Sequence, residues 1–255
     1  MAIGQEMERQ IPLFLIFSCD AAEVIAGIDD FVRDSDGAVA RALPSVSPSD
    51  QSLIWNGLQF ALCLAELPEL AADAQPILCS SMGTKSSIVF SLNFSEHAAG
   101  GSRLPEIAQA FLKFAALLVR YLSPDRVLWV PGNLLVDPEY FAETVADYTK
   151  GGAFPVLATI KLTWSPEKDR LQTEGLEWFS GQEVECAVEG GSEQDWLRRI
   201  VRLVHDIATN GPLTTDQAVP DMDENQQVLL SLKDEARVIY ARIGSEMDIS
   251  PAGSL

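Results

Sequence analysis

Residues 104–122 read LPEIAQAFLKFAALLVRYL, and this stretch sets the framework into which the rest of the chain must fold. Its apolar residues keep the 3, 4, 3, 4 spacing of one buried helical face, which predicts a long helix that ends before Pro124. Upstream, the side chains alternate along Ile88–Phe94, which predicts a strand with one strongly apolar face. Downstream, Val127–Val130 predicts a short buried strand, so residues 88–130 are compatible with a parallel strand–helix–strand crossover.

The residues before this stretch carry both strand and helix patterns. Pro12–Phe17 predicts a strand buried on both faces. Asp20 is a good N-cap for an apolar helical stripe that ends near Gly37. Ser52–Leu67 is apolar and ambiguous between strand and helix, although Gly57 favours a strand.

The residues after it continue the mixture. Asp137 followed by proline marks one helix start, and Ser192 caps a second helix that ends at Asn210. Alternating side chains predict strands along Val156–Trp164 and Val184–Val188. The last predicted strands form a hairpin from Val228–Leu232 and Val238–Ile243.

Strands and helices are mixed, and several strands follow one another near the C terminus. This order predicts an α+β fold in which about four to five helices pack on mixed or antiparallel sheets, with room for two similar-sized subdomains. Residues 1–10 predict a flexible lead-in, 11–245 a single globular unit, and 246–255 a flexible tail. The Gly/Ala-rich loop at 96–103 is compatible with a subdomain boundary.

The net charge of the chain indicates which classes of binding partner are favoured and which are disfavoured. The 255 residues include 37 Asp and Glu against 18 Lys and Arg, a formal net charge of -19. Such a field repels phosphate backbones and anionic lipid, which disfavours nucleic-acid and membrane binding, and it favours encounters with basic proteins. No segment has the ~18 apolar residues of a membrane span, and residues before Ile11 lack the basic start of a signal peptide, so we expect a cytoplasmic protein.

Few residues offer the chemistry of metal or covalent catalysis. Only His97 and His205 are present, and the four cysteines form no C-x-x-C pair, so the sequence predicts no metal site, no cofactor and no disulfide framework. Buried reduced thiols are the expected state of the cysteines. His205 is expected to be structural or solvent-facing, whereas His97 could pair with a distant serine and carboxylate.

Two stretches come close to known ligand-binding motifs and fail. Residues 81–86 resemble the end of a phosphate-binding loop, but Thr84 separates Gly83 from Lys85 and a strand pattern follows. Residues 221–225 have the opening spacing of a calcium loop, but the required glycine and final glutamate are absent. We interpret the first as a turn between strands and the second as a solvated acidic loop.

Glu183 and Glu185 lie two residues apart in a predicted strand, so their side chains point to the same face. Paired carboxylates can exchange protons with a substrate or hold a cation. Because no further polar partner is identifiable from the sequence, we expect an exposed acidic stripe, with an acid–base site as the alternative.

Five parts of the chain carry a resemblance to a known family: the Ile88–Phe94 strand with the helix from Leu104, VLWVPGN at 127–133, VDPEYF at 136–141, the Pro155–Leu162 strand, and TEGL at 173–176 followed by GQEVE at 181–185. With these residues, the segment from 85 to about 210 resembles the bacterial domain of unknown function 4261 family. The resemblance implies a family with no established activity, cofactor or catalytic residue. It also implies six motif positions that are candidates for an interaction site: Thr173, Gly175, Leu176, Gly181, Glu183 and Glu185. The glycines among them would mark turns, and the glutamates would mark a surface.

The sequence therefore favours a protein-interaction module over an enzyme. Its acidic surface would bind a basic protein partner, as adaptors and immunity-type inhibitors do. One alternative is a hydrolase or transferase built around Glu183 and Glu185, with a distant His97 or an aspartate as a further group. Another is a structural subunit of a larger assembly, for which an exposed apolar patch would be the sign. The partner and the oligomeric state remain open at this level.

Overall fold

The structure is a computed structural model that describes residues 11–42, 49–81, 87–95, 98, 100–189, 192–221 and 226–244. Within these residues the predicted α+β class is confirmed, with two mixed sheets of eight and six strands and six helices. The chain divides into two compact units, residues 1–161 and 162–255. The loop at 96–103, where the sequence was compatible with a boundary, falls inside the first unit, and the lead-in 1–10 and tail 246–255 lie outside the described residues.

The first unit is built on the eight-stranded sheet. Its strands, in chain order, are β1 (Leu13–Phe17), β2 (Val39–Arg41), β3 (Asp50–Trp55), β4 (Leu58–Ala65), β5 (Gln75–Ile77), β6 (Ile88–Phe94), β7 (Arg126–Trp129) and β8 (Leu134–Val136). The sheet order is β2-β3-β4-β6-β1-β7-β8-β5. Because β1 is antiparallel to both β6 and β7, those two strands run parallel to each other with β1 between them.

The helices of this unit are α1 (Ala21–Asp34), α2 (Pro105–Leu122), α3 (Pro138–Tyr148) and the single turn α4 (Val156–Thr159). The predicted long helix is α2, and it packs between α1 and α3. Its buried face meets the sheet through aromatic rings, among which Phe114 and Phe60 stack with centroids 4.3 Å apart. A separate buried cluster around Phe14, Ile16 and Leu128 packs against the 3₁₀ turn Glu69–Asp73.

The second unit is built on the six-stranded sheet. Its strands are β9 (Lys161–Trp164), β10 (Arg170–Glu174), β11 (Glu183–Ala187), β12 (Gln217–Pro220), β13 (Gln227–Lys233) and β14 (Val238–Gly244), in the order β12-β13-β14-β11-β10-β9. Its helices are the single turn α5 (Glu177–Ser180) and α6 (Glu193–Asn210). Strand β11 is antiparallel to β10 and parallel to β14, and α6 packs against it, so β11 lies at the centre of this unit.

Local signals in the sequence placed several element boundaries correctly. The carboxylate of Asp20 accepts a hydrogen bond from the Glu23 amide and begins α1, and Ser192 and Asp195 form a reciprocal capping box at α6. The ambiguous segment 52–67 is a hairpin of β3 and β4. Asn56 and Gly57 have φ of +49° and +79°, the pair of positive φ values that a two-residue type I′ turn requires.

The predicted strand Val156–Trp164 is wrong in its first half. Residues 156–159 form the helical turn α4, and only 161–164 are extended. The hydroxyl of Thr159 donates to the Pro155 carbonyl at 2.9 Å and stabilises that turn. Consecutive side chains from Ala158 to Ile160 are buried, which an alternating strand exposed on one face could not achieve.

Candidate functional site

The predicted motif positions lie around one turn of the second unit. Thr173 is in the last part of β10, Gly175 and Leu176 form the connection to α5, and Gly181 ends α5 immediately before β11. Glu183 is the first residue of β11. The structure therefore brings five of the six motif residues together, and Glu185 lies one strand position further along the same face.

The Glu183 carboxylate accepts four hydrogen bonds from this turn. Thr173 Oγ1 donates at 2.5 Å, and the backbone amides of Gly175, Glu177 and Leu176 donate at 2.8, 3.0 and 3.3 Å. The carboxylate thus satisfies the amides at the start of α5, which have no partner inside the helix. Glu183 closes the turn between β10 and β11, which is a structural task.

The other motif residues serve the same turn. Thr173 Oγ1 also accepts the Val184 amide at 2.7 Å, so the hydroxyl bridges both strands. Gly175 and Gly181 have φ of +106° and +79°, a backbone region in which a Cβ atom would be strained. The Gly181 amide donates to the Glu177 carbonyl at 2.8 Å and caps α5, and the Leu176 side chain is completely buried.

Gln182 is a buried side chain in this region whose role the sequence analysis missed. Its Nε2 donates to the carbonyls of Leu213 and Ala236 at 2.9 and 2.8 Å, and its Oε1 accepts the Leu213 amide at 2.8 Å. The side chain is 3% exposed and joins β11 to the segment after α6 and to the β13–β14 turn. Period-two spacing from Val184 and Cys186 places Gln182 on the buried face, and a polar residue there was the available signal.

Glu185 is held by two side chains of the neighbouring strand. Gln172 Nε2 donates to it at 2.8 Å and Arg170 Nη1 at 3.3 Å, and its side chain is only 20% exposed. The expected exposed acidic stripe is therefore wrong, because both carboxylates are half-buried and engaged with protein donors. Strand pairing between β10 and β11 places Gln172 directly opposite Glu185 and Arg170 two residues away on the same strand, which the spacing of the glutamates alone could not reveal.

Burial governs the ionisation of Glu183. Desolvation raises the pKa of its carboxyl, and the Thr173 hydroxyl and the three backbone amides oppose that rise because they donate to the ionised form. With four donors already bound, the carboxylate has no lone pair directed at a substrate. The arrangement suits a fixed structural anion better than a group that must exchange protons during a reaction.

Asp221 forms a buried ion pair in the same unit. Arg199 of α6 binds its carboxylate with two nitrogens, Nε at 2.8 Å to Oδ1 and Nη2 at 2.8 Å to Oδ2. The guanidinium also lies 5.0 Å from the centre of the Trp196 ring. Asp221 is 8% exposed, so the expected solvated loop is wrong at this residue, and residues 222–225 lie outside the described part of the chain.

A shallow depression beside this ion pair is too small for a metabolite. It is lined by Arg202, Asp206 and Pro220 together with the buried pair, and its free volume of about 10 Å³ is on the order of one water molecule. Arg202 Nη1 lies 3.4 Å from the Pro220 carbonyl, which further closes the space. This depression offers no room for a substrate.

The histidines and cysteines are dispersed. His205 is half-buried on α6, and His97 and residues 82–86 lie outside the described residues. The expectation of buried thiols is correct for Cys186 and wrong for Cys19, which is exposed. Burial raises the pKa of the Cys186 thiol to about 12. Among the residues that the structure describes, no three or more His, Cys, Asp or Glu side chains cluster in a way that could hold a metal ion.

Helix α3 carries a row of exposed acidic side chains in the first unit. Glu139, Glu143 and Asp147 are spaced four residues apart, so they form one exposed row with about 6 Å of rise between neighbours. No hydrogen bond or ion pair joins their carboxylates to any side chain that the structure describes. We call these three residues the α3 row; its signal in the sequence was the i, i+4, i+8 spacing, which the sequence analysis did not use.

Helix α1 provides a contrast within the same unit. Arg33 binds Asp30, Arg41 binds Asp29, and the Tyr121 hydroxyl donates to Asp34 at 2.5 Å. Three of the four acidic residues of α1 therefore already have partners inside the chain. In the described residues, no helix has both the length and the apolar character needed to cross a membrane.

Comparison with known proteins finds no relative of this chain. No family model matches the chain, and neither the curated proteins nor the solved structures contain a match. The resemblance of residues 85–210 to the domain of unknown function 4261 family accordingly stays a prediction, and the structural roles of its motif residues are established by their contacts alone.

Proposed function

We propose that the chain is a cytoplasmic protein-interaction module that binds a basic protein partner through the α3 row. The observation that carries this proposal is the set of three exposed carboxylates on one helix face, which form no ion pair with any Lys or Arg that the structure describes. The net charge of -19 supports it, because the surrounding field would attract a positively charged partner over long range.

The repulsion between the like charges of the α3 row supports a role for the row other than stabilising the fold. Like charges four residues apart on a helix destabilise it by about 0.2–0.5 kcal/mol per pair. Asp147 stands in the last turn of α3, where the helix dipole disfavours a negative charge. Glu139 lies in the first turn, where the dipole favours a negative charge, so the cost in the isolated chain falls on Glu143 and Asp147, and a basic partner would remove that cost on binding.

Three of the four outer strands, β2, β5 and β12, disfavour the addition of a partner strand. The outermost strands β5 and β12 contain Pro76 and Pro220, which have no amide to donate to an added strand. At outer strand β2, the Ser35 hydroxyl accepts the Val39 amide at 3.1 Å and covers part of that edge. Addition of a partner strand at these three edges is disfavoured, whereas the exposed face of α3 is open.

The enzymatic alternative lacks a supporting contact. It would require Glu183 and Glu185 to bind or exchange protons with a substrate, and the hydrogen bonds of both carboxylates are taken by protein donors. The alternative of a structural subunit would rest on exposed apolar side chains. Among the large apolar side chains that the structure describes, the two largest exposed fractions belong to Leu78, at 73%, just after β5, and Leu104, at 58%, just before α2.

Affinity capture from the native cell, followed by mass spectrometry, tests the proposal. The tested variant reverses the row with Glu139→Lys, Glu143→Lys and Asp147→Lys. Its matched control makes the same total charge change at three exposed residues of the second unit, with Glu167→Lys, Asp234→Lys and Glu235→Lys. We expect a stoichiometric basic protein to bind the wild type and the control, to be lost from the row variant, and to be weakened at moderate salt.

Two outcomes would overturn the proposal. Equal capture of the partner by the row variant and the wild type would remove α3 as the binding face. Capture that is indifferent to salt would remove the electrostatic mechanism, because exposed charge pairs weaken as the screening length shortens. Circular dichroism of each variant, compared with the wild type, separates a lost contact from a lost fold.

A further inference from the structure

We draw no further inference here: the strongest candidate, the sheet face of the second unit that carries Leu229, Tyr240 and Arg242, is an unpartnered face, and nothing in the structure shows what covers it.

Discussion

The glutamates of β11 and the acidic residues of α3 are similar in sequence and opposite in structure. Glu183 and Glu185 are two residues apart on a strand and receive hydrogen bonds from the facing strand and the adjoining turn. Glu139, Glu143 and Asp147 are four residues apart on a helix, and their carboxylates form no ion pair with any described cation. The first pair stabilises the fold at its own site, whereas the second set is free to act on another molecule.

This difference shows why the density of acidic residues is a poor guide to a binding face. Residues 162–255 contain 18 Asp and Glu against 8 Lys and Arg, and residues 1–161 contain 19 against 10, so the shorter second unit is the more densely charged. Yet the second unit uses Glu183, Glu185 and Asp221 to satisfy its own backbone amides and side chains. The useful criterion is whether a carboxylate has a donor within the chain.

Removing Asp221 should give the largest effect among the engaged carboxylates. Asp221→Ala leaves the Arg199 guanidinium buried without its counter-charge, and we expect a loss of about 3–5 kcal/mol in the free energy of unfolding. Urea unfolding of the full chain, with hydrogen exchange followed at amides of α6 and β12, measures the loss and its location.

The paired replacement Arg199→Met with Asp221→Leu is the control for that prediction. Because an apolar pair of similar volume avoids the cost of burying two charges, it should recover most of the stability. A single Asp221→Ala variant as stable as the wild type would mean that the ion pair does not hold α6 to the end of β12.

Glu183→Gln should produce the next largest effect. The amide retains one acceptor oxygen but turns an NH₂ group towards backbone amides that also donate, so we expect a loss of about 2–3 kcal/mol. Glu185→Gln is the matched control, since its amide can turn its oxygen towards Gln172 and should cost under about 1 kcal/mol. Equal losses from the two variants would contradict the assignment of Glu183 as the residue that closes the turn.

The buried Cys186 thiol should make the stability of the folded chain depend on pH. An unfolded thiol ionises near its ordinary pKa of about 8.5, whereas burial raises the folded pKa to about 12. The raised pKa therefore contributes its full stabilisation of the folded state at pH values below the unfolded pKa. This contribution is lost as the pH rises from about 8.5 towards 12, by about 1.4 kcal/mol per pH unit. We expect the stability of wild type to fall more steeply than that of Cys186→Ala between pH 9 and about 10.5 in urea titrations.

Alkylation at pH 8 gives an independent measure of the same burial. Exposed Cys19 should react with iodoacetamide in the folded protein, and Cys186 should react only after unfolding. Two results together would contradict the packing of β11 against α6. One is a stability that falls equally with pH in wild type and in Cys186→Ala, and the other is rapid labelling of Cys186 in the folded protein.

The sequence could predict those features that depend on neighbours along the chain. Long periodic runs such as 104–122 and short caps such as Asp20 and Ser192 are local, and the structure has them where they were predicted. Three-residue strands such as β5 and β8 contain too few residues for a period to emerge. At 156–159, buried neighbours on several sides produced an apolar run that imitates a strand.

The roles of the acidic residues depended on contacts that no spacing encodes. Arg199 lies 22 positions from Asp221, and three of the four donors to Glu183 are backbone amides, which every residue but proline possesses. The glycines of the motif were correctly interpreted as turns because positive φ is a local requirement. The glutamates were misinterpreted as an exposed stripe because burial is decided by the strands that pair beside them.

The smallest predicted effect is a gain in stability, whereas the changes at the engaged carboxylates are losses. It therefore distinguishes most directly between the carboxylates that stabilise the fold and those of the α3 row. Glu143 stands between Glu139 and Asp147, so Glu143→Gln removes two like-charge repulsions at once and should stabilise the chain by about 0.4–1.0 kcal/mol at low salt. The gain should shrink as salt is added, since screening weakens the repulsions in the wild type. The comparable change Asp29→Asn on α1 removes a partner of Arg41 and should be neutral or slightly destabilising, and urea unfolding of both variants at two salt concentrations measures the difference. A loss of stability in Glu143→Gln would mean that the carboxylate has a donor in the folded chain, and the α3 row would then belong with Glu183 as part of the fold.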